Sequence, residues 1–250
     1  MEKKYELTDE ILEVGGRVLH RINALRNFGN IKQGEIGGWI ENEDNLSHCG
    51  DCWVYGDAEV YGNAKVYGDA EVYGNAEVYG NAIVLGDAEV YGNAKVYGDA
   101  EVYGDAEVYG NAKVYGDAKV LGDAEVYGDA EVYGNAIVYG DAEVYDDAEV
   151  YGNAKVLGDA KVYGDAKVYG NAIVLGDAEV EKKSDYIVFK NWWSSGRYFT
   201  WTRSNDKWRV GCFYGTGEEL IKKAYNDSEE KGREYERVVK YVESIKSEIK

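Results

Sequence analysis

The chain has 250 residues, 45% hydrophobic and 30% charged, with no proline and a formal net charge of −19. That length is enough to bury a core, and that charge excludes a general affinity for nucleic acid or anionic membrane while favouring basic partners. Three cysteines, an odd number, argue against a disulfide scaffold, and no apolar run approaches membrane-spanning length, so the expectation is a soluble protein of a reducing, cytoplasmic compartment.

Residues 1–45 lack a strict repeat. In "ILEVGGRVLHRI" the Gly15-Gly16 pair separates two β-rich runs, which predicts a hairpin. "GEIGGWIENEDNLSHCGD" then slides into the pattern that follows, so the segment is expected to cap a solenoid and block growth at its edge. The His48-Cys49-Gly-Asp-Cys52 run is a lone CxxC. Its register puts Cys52 inward and Cys49 outward, so the thiols should diverge, and no metal site or cofactor is expected there.

Residues 46–181 are expected to form the solenoid, and from Cys52 to Val180 they read as the word A-x-V-Y-G-(D/N), with x mostly Glu or Lys. Ala and Val alternate with x and Tyr, which is strand periodicity, and the Gly-Asp or Gly-Asn pair is a turn. Ala and Val should face inward, x and Tyr outward. Ile takes the x position at 83, 137 and 173, and Leu takes the Tyr position at 85, 121, 157 and 175; every interval within each set is a multiple of 18. An 18-residue coil therefore stacks all seven exceptions on one side of a three-sided prism.

The first face carries Glu71, Glu89, Glu107, Glu125 and Glu143 beside a file of tyrosines, a candidate acidic stripe for a basic partner. The second mixes Glu and Lys in nearly balanced numbers beside tyrosines. The third carries Ile83, Leu85, Leu121, Ile137, Leu157, Ile173 and Leu175, a candidate docking face for another subunit or for the terminal domain. The corner after it is Asp in every coil, at Asp69, Asp87, Asp105, Asp123, Asp141, Asp159 and Asp177. The bland reading of those corners is ordinary turn chemistry, and stacked tyrosines can simply cover strands. The acidity is harder to set aside. The whole −19 lies between residues 52 and 181. Spread over about seven coils at about 4.8 Å, it matches the linear charge density of B-DNA.

Val84 with Ala88 and Val90 with Ala94 place an aliphatic residue first and a small residue four places later, and in this the chain resembles the hexapeptide-repeat proteins. The resemblance implies a left-handed parallel β-helix of three hexads, 18 residues, per coil and about seven coils. The family's acyltransferases work as trimers with a catalytic His between coils, and its carbonic anhydrases use three His ligands. Here His20 and His48 are the only histidines and both precede the regular repeat, so no enzyme is expected. The wording "LHRINALRNFGNIKQGEIGGWIENEDNLS" followed by "CWVYGDA" is also similar to the start of hexapeptide-repeat proteins encoded by bacteriophages and prophages, which implies such a source.

Residues 182–250 change character. "DYIVFKNWWSSGRYFTWTRSNDKWRVGCFYG" is rich in aromatics, with turns expected at Ser194-Ser195-Gly196 and Ser204-Asn205-Asp206. Ile187, Phe189, Phe199, Trp201, Trp208, Val210 and Cys212 can share one face of a three-stranded antiparallel meander, and helices should follow at about 217–226 and 228–249. The last helix spaces Tyr235, Val238, Val242, Ile245 and Ile249 as a two-heptad seam, either for its own sheet or for a homo-oligomer. Direct nucleic-acid binding by the basic aromatics is not expected, because most of them are needed for a core.

These features point to a non-enzymatic binding protein, in the phage setting an inhibitor of a basic host protein, whose acidic rod mimics nucleic acid before a host nuclease or defence complex. The alternatives are a structural or scaffold protein using the solenoid as an oligomer spine, and a sequestering binder of a small ligand at a subunit interface.

Overall fold

Alternating side chains decide the architecture. In the computed structural model, which describes residues 2–192, 195–246 and 248, every Ala and Val of the repeat from Ala58 to Val180 is buried, while x and Tyr face outward. Strands of two to four residues stack in parallel with an offset of 18, as in Glu89↔Glu107 and Val90↔Val108. The ladder runs from coil to coil: Glu89 N–H donates to Ala106 O at 3.0 Å, Tyr91 N–H to Val108 O at 3.0 Å and Asn93 N–H to Gly110 O at 2.7 Å. Three sheets result, making a mainly β, three-sided parallel solenoid. Small Ala and β-branched Val fill the narrow interior without polar atoms, so burial stabilises each coil and the backbone satisfies itself.

The corner after each Tyr requires a left-handed residue. Gly104 has φ +85, and a Cβ there would lie 2.9 Å from Gly122 O. One hexad breaks the rule: Asp146 occupies the glycine position with φ 58.

Parallel stacking starts before the regular repeat. The hairpin strands β1 (Tyr5–Val14) and β2 (Arg17–Ala24) pair antiparallel, β2 pairs with β3 (Ile36–Ile40), and β3 then pairs in parallel with Glu59–Val60. With Leu46 bridged to Val66, and with Trp53–Val54 heading an eight-stranded sheet, this adds a turn ahead of the seven expected. Tyr5, Ile22, Phe28 and Ile31 plug the upper end and join the solenoid core. Lys4 is fully buried there; its ammonium donates to Cys52 O at 2.8 Å and Gly50 O at 3.2 Å and lies 4.8 Å from the Phe28 ring centroid. Burial pushes that amine below its ordinary range and pushes the Cys52 thiol above its own. Cys52 is buried and Cys49 exposed.

The C-terminal part is an antiparallel sheet of four strands, Tyr186–Lys190, Tyr198–Thr202, Lys207–Val210 and Phe213–Gly215, followed by helices α1 (Gly217–Asp227) and α2 (Glu229–Ile245). The expected three-stranded meander misses the last strand. The chain reverses at Gly211, with φ 60, so Cys212 lies exposed in the turn instead of on the packed face. Of the two turns expected from sequence, Ser204–Asp206 forms within the hairpin between the second and third strands, and Ser194 lies outside the described residues.

One face of this sheet packs on the helices through Phe199, Trp201, Trp208 and Val210, which meet Leu220, Ala224, Tyr235, Val239 and Val242. The seam of α2 is thus used within the chain, centred on Val239 more than on Val238; Ile249 lies outside the described residues. The other face covers the lower end of the solenoid. Tyr186 joins the solenoid core with Val188 packed against it, and four side chains satisfy the open strand edge. Ile173 N–H donates to Thr200 Oγ1 at 3.0 Å and Glu179 N–H to Ser204 Oγ at 2.7 Å, while the Tyr186 and Tyr214 hydroxyls donate to Lys167 O at 2.8 Å and Leu175 O at 2.9 Å. No described helix is long and apolar enough to cross a membrane.

Candidate functional site

The 18-residue coil turns each sequence column into a physical column, and the three columns of interest behave differently. On the first face the rings from Tyr73 to Tyr163 stack with centroids 4.7 to 5.1 Å apart and planes within 5°. Tyr55 meets Tyr73 edge-on at 6.3 Å. Each step adds on the order of 0.5–1.5 kcal/mol beyond burial.

The candidate stripe Glu71, Glu89, Glu107, Glu125 and Glu143 is not open acid. Each carboxylate accepts a hydrogen bond from the tyrosine 16 residues earlier: Tyr55 to Glu71 at 2.8 Å, Tyr73 to Glu89 at 2.5 Å, Tyr91 to Glu107 at 2.7 Å, Tyr109 to Glu125 at 2.8 Å and Tyr127 to Glu143 at 3.0 Å. All five carboxylates are half-buried. Phenol donors between successive carboxylates offset the like-charge repulsion that a bare stripe would suffer. Burial, and next the bond to the carboxylate, hold the phenols of Tyr73, Tyr91, Tyr109 and Tyr127 well above the ordinary tyrosine range.

The second face stacks a longer file, Tyr61 to Tyr169, at 4.9 to 5.2 Å. Its x column is mixed, so phenol–carboxylate bonds form where Glu follows, as from Tyr115 to Glu131 and Tyr133 to Glu149, both at 2.9 Å. Where Lys stands instead it pairs with a neighbouring Glu, as in Lys95–Glu77 at 2.7 Å, Lys113–Glu131 at 2.8 Å and Lys167–Glu149 at 2.5 Å. Lys161–Glu143 and Lys119–Glu101 do the same on the other faces.

On the third face Ile83, Leu85, Leu121, Ile137, Leu157, Ile173 and Leu175 share one seven-stranded sheet and are all half-buried. Leu interrupts the tyrosine file here, so Tyr103 and Tyr139 lack ring partners above and below and stand 40% and 54% exposed. The C-terminal sheet reaches only the last strand of this face, at Ile173 and Leu175, and leaves the rest uncovered within the described residues.

The acid that solvent reaches is at the corners. Asp69, Asp87, Asp105, Asp123, Asp141, Asp159 and Asp177 are all exposed, one per coil. Asp123 holds its proton more tightly than an ordinary aspartate, through partial desolvation and the carboxylates of Asp105 and Asp141 on either side. At the lower end Asn205 donates to Asp177 at 3.0 Å and lowers its proton affinity. Elsewhere corners are neutralised by amides: Asn75 donates to Asn93, Asn93 to Asn111 and Asn111 to Asp129 at 2.9 to 3.2 Å. Only the third corner keeps a carboxylate at every level.

Asp146 escapes the column reading, although its signal in the sequence is plain: it is the one repeat unit that reads Asp-Asp for Gly-Asp. It accepts from Gly164 N–H at 3.3 Å and, with Asp129, Asp147, Asp165, Glu181 and Lys182, lines a surface concavity. Among the described residues, no group of three or more His, Cys, Asp or Glu is placed to hold a metal ion. No family model and no curated protein matches the chain.

Proposed function

We propose that this chain is a non-enzymatic binding protein that engages a basic protein surface through the aspartate corner of its rod. The observation that carries the reading is the unbroken third corner, where seven exposed carboxylates stand in register and the crowding is felt at Asp123. A cationic partner that relieves such crowding gains more than it would from scattered charges, and a steep salt dependence follows. In the phage setting that the resemblance implies, the partner is a host protein with a nucleic-acid groove, and occupying that groove inhibits it.

The test is capture of a partner from bacterial lysate on the immobilised chain, followed by affinity measurement. Raising salt from about 50 to about 300 mM should weaken binding by about tenfold or more. Changing Asp87, Asp105, Asp123 and Asp141 to Asn should do the same and leave the fold intact, since Asn already serves at other corners. Affinity that ignored both changes would overturn the proposal.

The uncovered third face favours a second reading, an oligomer spine built on Ile83, Ile137 and Leu157. Light scattering that reported only monomer at high concentration would rule against it.

A further inference from the structure

We infer that the first face is a one-electron relay, in which an oxidising equivalent placed on one tyrosine moves along the stack as a neutral tyrosyl radical. Two independent features of the geometry support this. The rings from Tyr73 to Tyr145 follow one another at 4.7 to 4.9 Å and near-parallel, close enough for direct electron exchange between π systems. Each phenol from Tyr73 to Tyr127 also has its own proton acceptor, a carboxylate at 2.5 to 3.0 Å.

The second feature matters because a tyrosine that loses an electron becomes a strong acid, and oxidation stalls at high potential unless the proton has somewhere to go. The balance of each step is simple. A one-electron oxidant, such as an oxygen-centred radical or a photo-oxidised metal complex, removes an electron from Tyr127, and the phenol proton passes to Glu143. Tyr109 then supplies an electron to the Tyr127 phenoxyl, which takes its proton back from Glu143, while Tyr109 gives its own proton to Glu125. One electron moves one ring, each proton returns to its starting phenol, and no bond to carbon or oxygen other than O–H is made or broken. Proton transfer across an existing short hydrogen bond is the arrangement that general acid–base chemistry requires.

The other faces are built-in controls. The second stacks its rings just as closely, yet the residues 16 positions after Tyr79 and Tyr97 are Lys95 and Lys113, which cannot accept a proton. The third breaks its stack with Leu at every second coil. From Tyr73 to Tyr127 the first face joins an unbroken stack to an acceptor at every ring, and the file of acceptors ends at Tyr145, where Lys161 stands 16 positions on. The inference does not depend on the binding reading, since the relay uses first-face carboxylates and binding uses the third corner.

The experiment places a ruthenium polypyridyl photosensitiser on Asp147→Cys, with Cys49 and Cys212 changed to Ser, and puts 3-aminotyrosine in place of Tyr73 as a radical trap. Flash oxidation should produce the aminotyrosyl radical at the far end of the stack. Tyr109→Leu, which leaves a one-ring gap of a kind the third face already tolerates, should cut its yield to about a tenth or less. Glu125→Gln should slow its appearance by about tenfold and remove the solvent deuterium isotope effect. The same donor and trap on the second face, at Asn153→Cys and Tyr79, should perform worse than on the first. Absence of the trapped radical, a yield indifferent to Tyr109→Leu, or equal rates on the two faces would overturn the relay. Thermal melts of each variant check that the solenoid is intact.

Discussion

A tyrosine hydroxyl costs free energy when it is half-buried unless something accepts its proton, and here the acceptor is a carboxylate that itself needs a donor. The Tyr–Glu bond at a separation of 16 solves both problems at once, and within the rod it is legible in the sequence where Glu follows Tyr by that interval, with Tyr163 and Glu179 at the lower end the exception. Reading the columns separately, as an acidic stripe beside a tyrosine stripe, hides it, because the bond crosses between coils and between columns. The consequence is a sign for pH. The folded phenols of Tyr73, Tyr91, Tyr109 and Tyr127 bind their protons more tightly than unfolded ones, whose ordinary value is about 10. Above that pH the unfolded chain releases protons first, so stability falls as pH rises and is fully present below it. Spectrophotometric titration at alkaline pH, run beside circular dichroism, should show these tyrosines ionising late and together with loss of the solenoid. Independent ionisation near 10 with the fold retained would contradict the account.

Among the elements, the hexad is the unit that the sequence describes best. Inward Ala and Val, outward x and Tyr, and the turn at Gly all follow from a period of two and from the left-handed corner. The exception teaches more. Asp146 holds a backbone conformation that costs an L residue on the order of 1 kcal/mol relative to glycine, although Asp is among the side chains that tolerate it best. Asp146→Gly should therefore raise unfolding free energy by about 1 kcal/mol, measured by denaturant titration. An unchanged or lowered stability would mean that the bond to Gly164 N–H repays the strain. In the tail, the sequence supplied the packed face and both helices but not the fourth strand. Phe213–Gly215 is three residues long and follows a turn at Gly211 with no Asn-Gly or Asp-Gly signal, so nothing local marks its pairing with Lys207–Val210.

For the molecule as a whole, the periodicity determines the stack and leaves open how it ends. The hairpin signals the upper plug in the sequence; the lower one has no such signal, because its contacts are single side chains, Thr200, Ser204, Tyr186 and Tyr214, meeting backbone groups far away in sequence. No local pattern announces such pairings. Removing residues 182–250 should uncover three parallel strand edges and a hydrophobic core, and the truncated rods should associate end to end. Sedimentation of the truncated chain tests this: a monodisperse monomer would show that the edge needs no cover.

Finally, the fixed 18-residue turn makes the surface a matter of phase. An insertion or loss of one whole turn lengthens or shortens the rod and leaves every column aligned, whereas gain or loss of a single hexad keeps the core pattern perfect yet rotates everything downstream by one side of the triangle. After such a slip the stacked rings of one face would continue into the Leu-broken file of another, and the aspartate corner would run on into asparagine. A coding repeat of this kind is prone to copying slips in both sizes. The two sizes have very different consequences, so natural length variants of this rod should differ by whole turns.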